Sequence, residues 1–178
     1  MRAIVSDGLT LEPQTAAHAA PMFAVLSDPA IYEYENKPPP SLEWLRERFA
    51  KLESRRSADG SEQWLNWVIR ISTSELIGYV RATVHANGAA SIAYELSRAY
   101  WGRGLARRAV EAMLAELGEH YHVRTVTAVL KRENRRSRRL LERLGFSPAA
   151  PELHAQHDVE PGEILMQREV RAHEPSAP

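Results

Sequence analysis

The run Glu95-Leu96-Ser97-Arg98-Ala99-Tyr100-Trp101-Gly102-Arg103-Gly104-Leu105-Ala106-Arg107 sets two glycines and an alanine at the start of a helical pattern. Small residues there leave backbone N–H groups open to a ligand, and a helix N-terminus adds unpaired donors and a partial positive charge. Arg103 and Arg107 add formal charge, so the run reads as a phosphate-binding turn. A purely structural glycine turn is the plainer alternative. The run is not a dinucleotide fingerprint, which needs a third glycine, nor a nucleotide P-loop, which ends in Gly-Lys-Ser/Thr. Glu95 alternates with Tyr94 and Leu96 in a strand expected to be buried, where an unpaired carboxylate would be unusual. It is a candidate general base, or else the partner of one of the arginines.

A second run, Asn134-Arg135-Arg136-Ser137-Arg138-Arg139-Leu140-Leu141-Glu142-Arg143-Leu144-Gly145-Phe146, follows a β-branched segment. Ser137 is its hydroxyl, and Arg138 and Arg139 either reach an anion or face solvent. An acidic, aromatic connection holds Tyr32, Glu33, Tyr34 and Glu35, and a late loop holds Glu152, His154, His157, Asp158 and Glu160. The pairs His154/His157 and His120/His122 look faintly like metal ligands. Neither has a third ligand at a recognised spacing, so no metal is expected.

The elements that must position these groups follow from pattern. Leu9-Thr10-Leu11-Glu12-Pro13 alternates as a short strand, and Thr15 can cap a helix over 16–26 that stops near Asp28-Pro29. Ser41 caps an amphipathic helix built on Trp44, Leu45, Phe49 and Leu52 and running to about Arg55. Strands over 63–72, 76–85 and 90–97, separated by Thr73-Ser74-Glu75 and Asn87-Gly88 turns, form an antiparallel meander. A helix over 104–121 buries Leu105, Ala109, Val110, Met113, Leu114 and Leu117. A strand over 124–130 runs parallel to the one before the helix if the crossover is right-handed. A helix over 134–144 ends at Gly145, Phe146 enters another strand, and 163–170 is the last. The expectation is an α+β domain over 1–170 with a mixed central sheet, followed by a flexible tail over 171–178.

Composition narrows the classes. The chain has 178 residues, 44% apolar and 26% charged, which suits one domain with a real core and excludes a disordered chain. No apolar run approaches a membrane span, and the first residues lack the pattern of a secretory signal, so the expectation is a cytoplasmic protein with no membrane partner. There is no cysteine, which removes disulfides, thiolate metal sites and a cysteine nucleophile. Net charge is zero, yet Arg98–Phe146 holds twelve Arg/Lys against five Glu and carries +7, with −7 on the rest. That asymmetry suits an anionic ligand on one part and a cationic one on the other, although a solvated arginine face is the blander account.

Taken together, the two runs resemble the GNAT N-acyltransferase superfamily, and within it the RimJ/RimL-like branch. Tyr94-Glu95-Leu96-Ser97 before Tyr100-Trp101-Gly102-Arg103-Gly104-Leu105-Ala106 is similar to that branch's cofactor-binding motif. Asn134-x-x-Ser137-x-x-Leu140-Leu141-Glu142-x-Leu144-Gly145-Phe146 is similar to the motif that follows it. The resemblance implies a GNAT-like mixed sheet whose two parallel strands splay apart, flanked by helices, and admit acetyl-CoA as co-substrate. It implies cofactor contacts from Leu96, Ser97, Arg103, Gly104, Ala106, Arg107, Asn134 and Ser137, the strand of Glu95-Leu96-Ser97 pairing with the pantetheine. The +7 segment then has the phosphates of coenzyme A as its partner.

The resemblance further implies direct transfer of an acetyl group to a primary amine, either a protein N-terminus or a small amine. Many relatives place a tyrosine, the acid for the leaving thiolate, where this chain has Leu141, so Ser137 is the substitute, with pantetheine packing alone as the alternative. A protonated amine is no nucleophile, which gives Glu95 its role as base. Tyr32, Glu33 and Tyr34 are the expected acceptor-binding residues, acidic walls suiting a cationic amine, and the 152–160 loop is the opposite wall. Two other classes stay open. One is a non-catalytic acyl-CoA-binding module, and the other a nucleic-acid binder using the Arg132–Arg143 helix, disfavoured by zero net charge and the lack of interleaved aromatics. A homodimer also stays open.

Overall fold

The computed structural model describes residues 1–34, 36–72 and 74–170. Glu35, Thr73 and the expected tail 171–178 therefore lie outside the described residues. Among the described residues, eight strands form one sheet: β1 (Ile4–Ser6), β2 (Leu9–Pro13), β3 (Glu62–Ile71), β4 (Leu76–His85), β5 (Ala89–Leu96), β6 (Thr125–Lys131), β7 (Ser147–Pro148) and β8 (Glu163–Glu169). Their spatial order is β1-β2-β3-β4-β5-β6-β8-β7, antiparallel throughout except for the β5–β6 pair. The four helices are α1 (Ala19–Leu26), α2 (Leu42–Leu52), α3 (Leu105–Tyr121) and α4 (Arg135–Arg143).

The sheet is covered on both faces. Leu65, Trp67 and Ile69 of β3 join the core under α3, while Val68 and Leu76 pack with α1 and α2. A central strand buried on both sides reads as the unbroken apolar stretch Trp67-Val68-Ile69, with Leu65 before it and the buried Asn66 between. The apolar stripe expected on α3 is buried as its spacing requires, Ala109, Val110, Met113 and Leu117 having no exposed surface.

Three local expectations change. Strand β1 was not expected, because three residues carry too little alternation to be read alone. The helix over 16–26 splits into a 3₁₀ turn, Ala16–His18, and α1. Pro21 has no N–H to donate to the carbonyl of Ala17, so the first turn cannot run on unbroken. Helix α2 ends at Leu52 rather than Arg55, and Arg55 takes positive φ.

What makes a site is the separation of β5 from β6. They pair only over Ala89–Ser91 with Thr125–Thr127. Beyond that, β5 stays with β4 to Leu96 and β6 stays with β8 to Lys131, so the two strands diverge and a cleft opens between them. Gly78 holds β5 in close on the other side. A Cβ at that position would collide with the Glu95 carbonyl oxygen and stand 2.8 Å from Leu96 Cα.

Candidate active site

The glycine turn begins where β5 ends. A 3₁₀ turn, Arg98–Tyr100, leads to Trp101, whose indole N–H donates to the Leu96 carbonyl at 2.9 Å. Gly102 and Gly104 follow with φ of 75° and 74°, a left-handed region that costs a side-chain-bearing residue about 1–2 kcal/mol. A Cβ at either glycine would meet nothing within 4 Å, so both face open space. Gly104 is the N-cap of α3, and the first intrahelical bond runs from Arg108 N–H to its carbonyl at 3.1 Å. The N–H groups of Leu105, Ala106 and Arg107 thus have no partner in the helix. Arg107, Arg139 and Arg143 line the groove over this turn, which fits a polyphosphate. Arg136 reaches across from α4 and stacks 3.7 Å over Trp101.

Not every expected residue turns inward. Arg103 lies over the Tyr100 ring at 5.2 Å. Both backbone groups of Ser97 are engaged within the chain, its N–H on Ile77 at 2.7 Å and its carbonyl accepting from Tyr100 at 3.0 Å. By the alternation of an antiparallel pair, Tyr94 and Leu96 direct their backbone toward the cleft, and the Leu96 carbonyl is already taken by Trp101.

In the cleft, Asn134 caps α4 by accepting the Ser137 N–H at 3.0 Å, which fixes Ser137 at the first turn. The Ser137 hydroxyl and the Tyr94 phenol share a hydrogen bond of 2.6 Å. Burial pushes the Tyr94 phenol up to about 12, against the opposing pull of Ser137, so it stays protonated at neutral pH. Leu141 is 1% exposed and packs in the core. A phenol is therefore present after all, brought from β5 instead of α4, and only the strand's approach to α4 reveals it.

Glu95 points to the opposite face of β5, directly across from Tyr79 in register. Burial first, then the charge of Glu95 and a hydrogen bond to it, holds the Tyr79 phenol well above its ordinary range. Tyr32 is raised by burial and then by Glu95, and its hydroxyl donates to the Leu26 carbonyl at 2.8 Å. Asn36 Nδ2 lies 3.5 Å from Glu95 Oε1. Glu95 lines both the β5–β6 cleft, with Tyr94, Asn134 and Ser137, and a second pocket beneath α2.

Among the described residues, the second pocket is not lined by the acidic residues of the connection. Of the connection residues, Tyr32 lines it, whereas Glu33 and Tyr34 line the cleft. Its charged lining among the described residues is Lys37, Arg48, Arg81 and Glu95. The late loop forms a 3₁₀ turn, Pro151–His157, that contributes to neither the cleft nor this pocket. Tyr79, Arg81 and Gln14 were not anticipated, since their relevance depends on strand pairing. The one readable signal was Gly78, an isolated glycine inside a strand pattern, which marks a close backbone approach. Among the described residues no group of three or more His, Asp or Glu side chains could hold a metal, and no helix is long and apolar enough to cross a membrane.

Comparison with known proteins agrees with this architecture. A curated relative, the uncharacterized N-acetyltransferase p20 of Bacillus licheniformis, is 26% identical over 148 residues, covering 82% of this chain and 83% of that protein. The fold is similar to that of RimL, the ribosomal L7/L12 α-N-protein acetyltransferase solved with coenzyme A, with a TM-score of 0.79 at 20% identity over 96% of this chain and 99% of that one. It is similar also to spermidine N-acetyltransferase of Vibrio cholerae, solved with coenzyme A and spermine, with a TM-score of 0.73 at 18% identity over 94% and 98%. The family model for the acetyltransferase (GNAT) domain matches residues 8–147. The splayed β5–β6 cleft, the glycine turn and that match place this chain in the GNAT acetyltransferase family, as an acyltransferase that uses acetyl-CoA.

Proposed function

We propose that the chain moves the acetyl group of acetyl-CoA directly to a primary amine, and that it belongs to the RimJ/RimL-like branch of its family. The branch assignment rests on the Tyr100-Trp101-Gly102-Arg103-Gly104 run and on the likeness to RimL. The observation that carries the reaction is the position of Glu95 on the wall shared by the cofactor cleft and the second pocket. A group there meets an acceptor on one side and the acyl donor on the other. Acetyl-CoA, when bound, supplies the acetyl group as a thioester and leaves as coenzyme A.

The chain's own residues divide the rest of the work. The free N–H groups of Leu105, Ala106 and Arg107, with the arginines of the groove, hold the pyrophosphate. The Tyr94 backbone and the Leu96 N–H, on the open edge of β5, hold the pantetheine as an added strand would. Glu95 takes the proton of the acceptor amine, directly or through water, so that the nitrogen lone pair is free to attack. Ser137, backed by the protonated Tyr94, donates to the departing sulfur as charge develops on it.

Release of free thiol from acetyl-CoA, measured over a panel of amines and N-terminal peptides with the acetylated product identified by mass, tests this reading. Amine-dependent thiol release with one acetyl group added is the expected result. Tight coenzyme A binding without transfer to any amine would replace it with the binding-module reading.

A further inference from the structure

The second pocket carries a chemistry of its own. Gln14, 4% exposed, lines it, and its Nε2 has no hydrogen-bond partner among the described residues. Its backbone is settled: the N–H donates to the Asn66 carbonyl at 2.9 Å, and its carbonyl accepts from Arg55 at 2.7 Å. The side-chain amide is thus buried behind the pocket wall with a donor unmet, a deficit of about 1–3 kcal/mol that a turn of the amide toward an acceptor in the pocket would relieve. An ammonium group has no lone pair to offer it, whereas a carboxylate does. Lys37, Arg48 and Arg81 line the same pocket, and none of them pairs with a carboxylate among the described residues. Arg48 is held over Trp44 at 5.4 Å.

We propose that the acceptor is a primary amine that also bears a carboxylate, bound with the amine at Glu95 and the carboxylate over Gln14 and Arg48. The inference rests on the acetyl-transfer reading above and names the substrate class of that same site. The sheet sets the span. Gln14 follows β2 beside Asn66, Asn66 pairs with Arg81, and Arg81 pairs with Ala93, two residues before Glu95. At roughly 4.8 Å per strand, the Gln14 and Ala93 backbones are about 14 Å apart. Side chains reaching inward from both ends leave room for an amine and a carboxylate separated by several bonds, as in a short peptide or an ω-amino acid. A polyamine would instead set ammonium groups beside Lys37, Arg48 and Arg81.

Rates of acetylation of glycylglycine and 6-aminohexanoate against their carboxamides, and of glycine and spermidine, test this on the intact chain. We expect kcat/KM for each longer carboxylate to exceed that of its amide by tenfold or more, with glycine and spermidine below both carboxylates. Gln14→Leu and, on exposed α2, Arg48→Ala should each remove most of that preference by slowing the carboxylates alone, while acetyl-CoA affinity is unchanged. Equal rates for acid and amide, or spermidine as the fastest acceptor, would overturn the inference and leave the transferase reading standing. Transfer to none of these probes would overturn the inference, while the amine-transfer reading would fall only if the wider panel of amines and N-terminal peptides also gave no product.

Discussion

The Tyr94 phenol and the Ser137 hydroxyl lie 2.6 Å apart across the gap between β5 and α4. Two hydroxyls from elements far apart in the chain thereby meet beside the cleft, although position 141 holds leucine. A hydroxyl pair can pass hydrogen-bond polarity to a sulfur that becomes negative, and that interaction strengthens as the C–S bond breaks.

Replacing Ser137 with alanine should lower kcat by about 10²-fold, the low end for general acid catalysis, with little change in KM for acetyl-CoA. Tyr94→Phe should act in the same direction and more weakly, and the double variant should be no worse than Ser137→Ala, because Tyr94 acts through Ser137. The steady-state rates of the three variants check this. With Tyr94 raised to about 12, its ionisation should cause no loss of rate between pH 7 and 10.

Gly104→Ala should fold with a loss of about 1 kcal/mol, the strain of a left-handed alanine, and bind acetyl-CoA at least tenfold more weakly. The added methyl meets no atom of the protein within 4 Å and would project into the space where the proposed pyrophosphate site lies. Thermal unfolding and calorimetric titration measure the two effects separately. Unchanged affinity in the folded variant would remove the pyrophosphate from this turn.

Much of this was legible in the chain. The α3 stripe, the meander, the parallel β6 and the helix over 134–144 ending at Gly145 follow from periodicity and capping, and each sits close to where it was expected. The glycine turn was legible because positive φ and an uncapped helix start leave a residue signature. The second pocket was not legible. Gln14, Asn66, Arg81 and Glu95 come together through the register of four neighbouring strands, and register leaves no local mark at Gln14 or Arg81. Tyr79 was hidden for the same reason. Sequence proximity did not put Glu33 and Tyr32 in the same pocket, because the connection turns between the cleft and the space beneath α2.

Glu12 supplies a test of acid stability. Arg70 donates to both its carboxylate oxygens, at 2.5 and 3.0 Å, and this hydrogen bonding, more than the nearby His18, lowers the Glu12 carboxyl below its ordinary range. A carboxyl depressed in the folded state contributes stability above its unfolded pKa, and that contribution is lost as pH falls through the folded value. Glu12→Gln should therefore reduce Tm at pH 7, by the equivalent of roughly 0.5–1 kcal/mol for a bidentate pair whose side chains are 31% and 27% exposed. The gap between the two proteins should narrow progressively below about pH 4, near the ordinary glutamate value. A gap independent of pH would mean that Glu12 acts through packing alone.

The central claim is that Glu95 takes the proton of the acceptor amine, and the pH–rate profile of Glu95→Gln tests it most directly. The substitution keeps the shape and the contact with Tyr79 while removing the charge. Turnover at pH 7.5 should fall by about 10²–10⁴-fold with acetyl-CoA affinity unchanged. The deficit should shrink toward high pH, where an amine of ordinary pKa is already neutral and needs no base. A folded Glu95→Gln variant with full turnover at neutral pH would contradict the account.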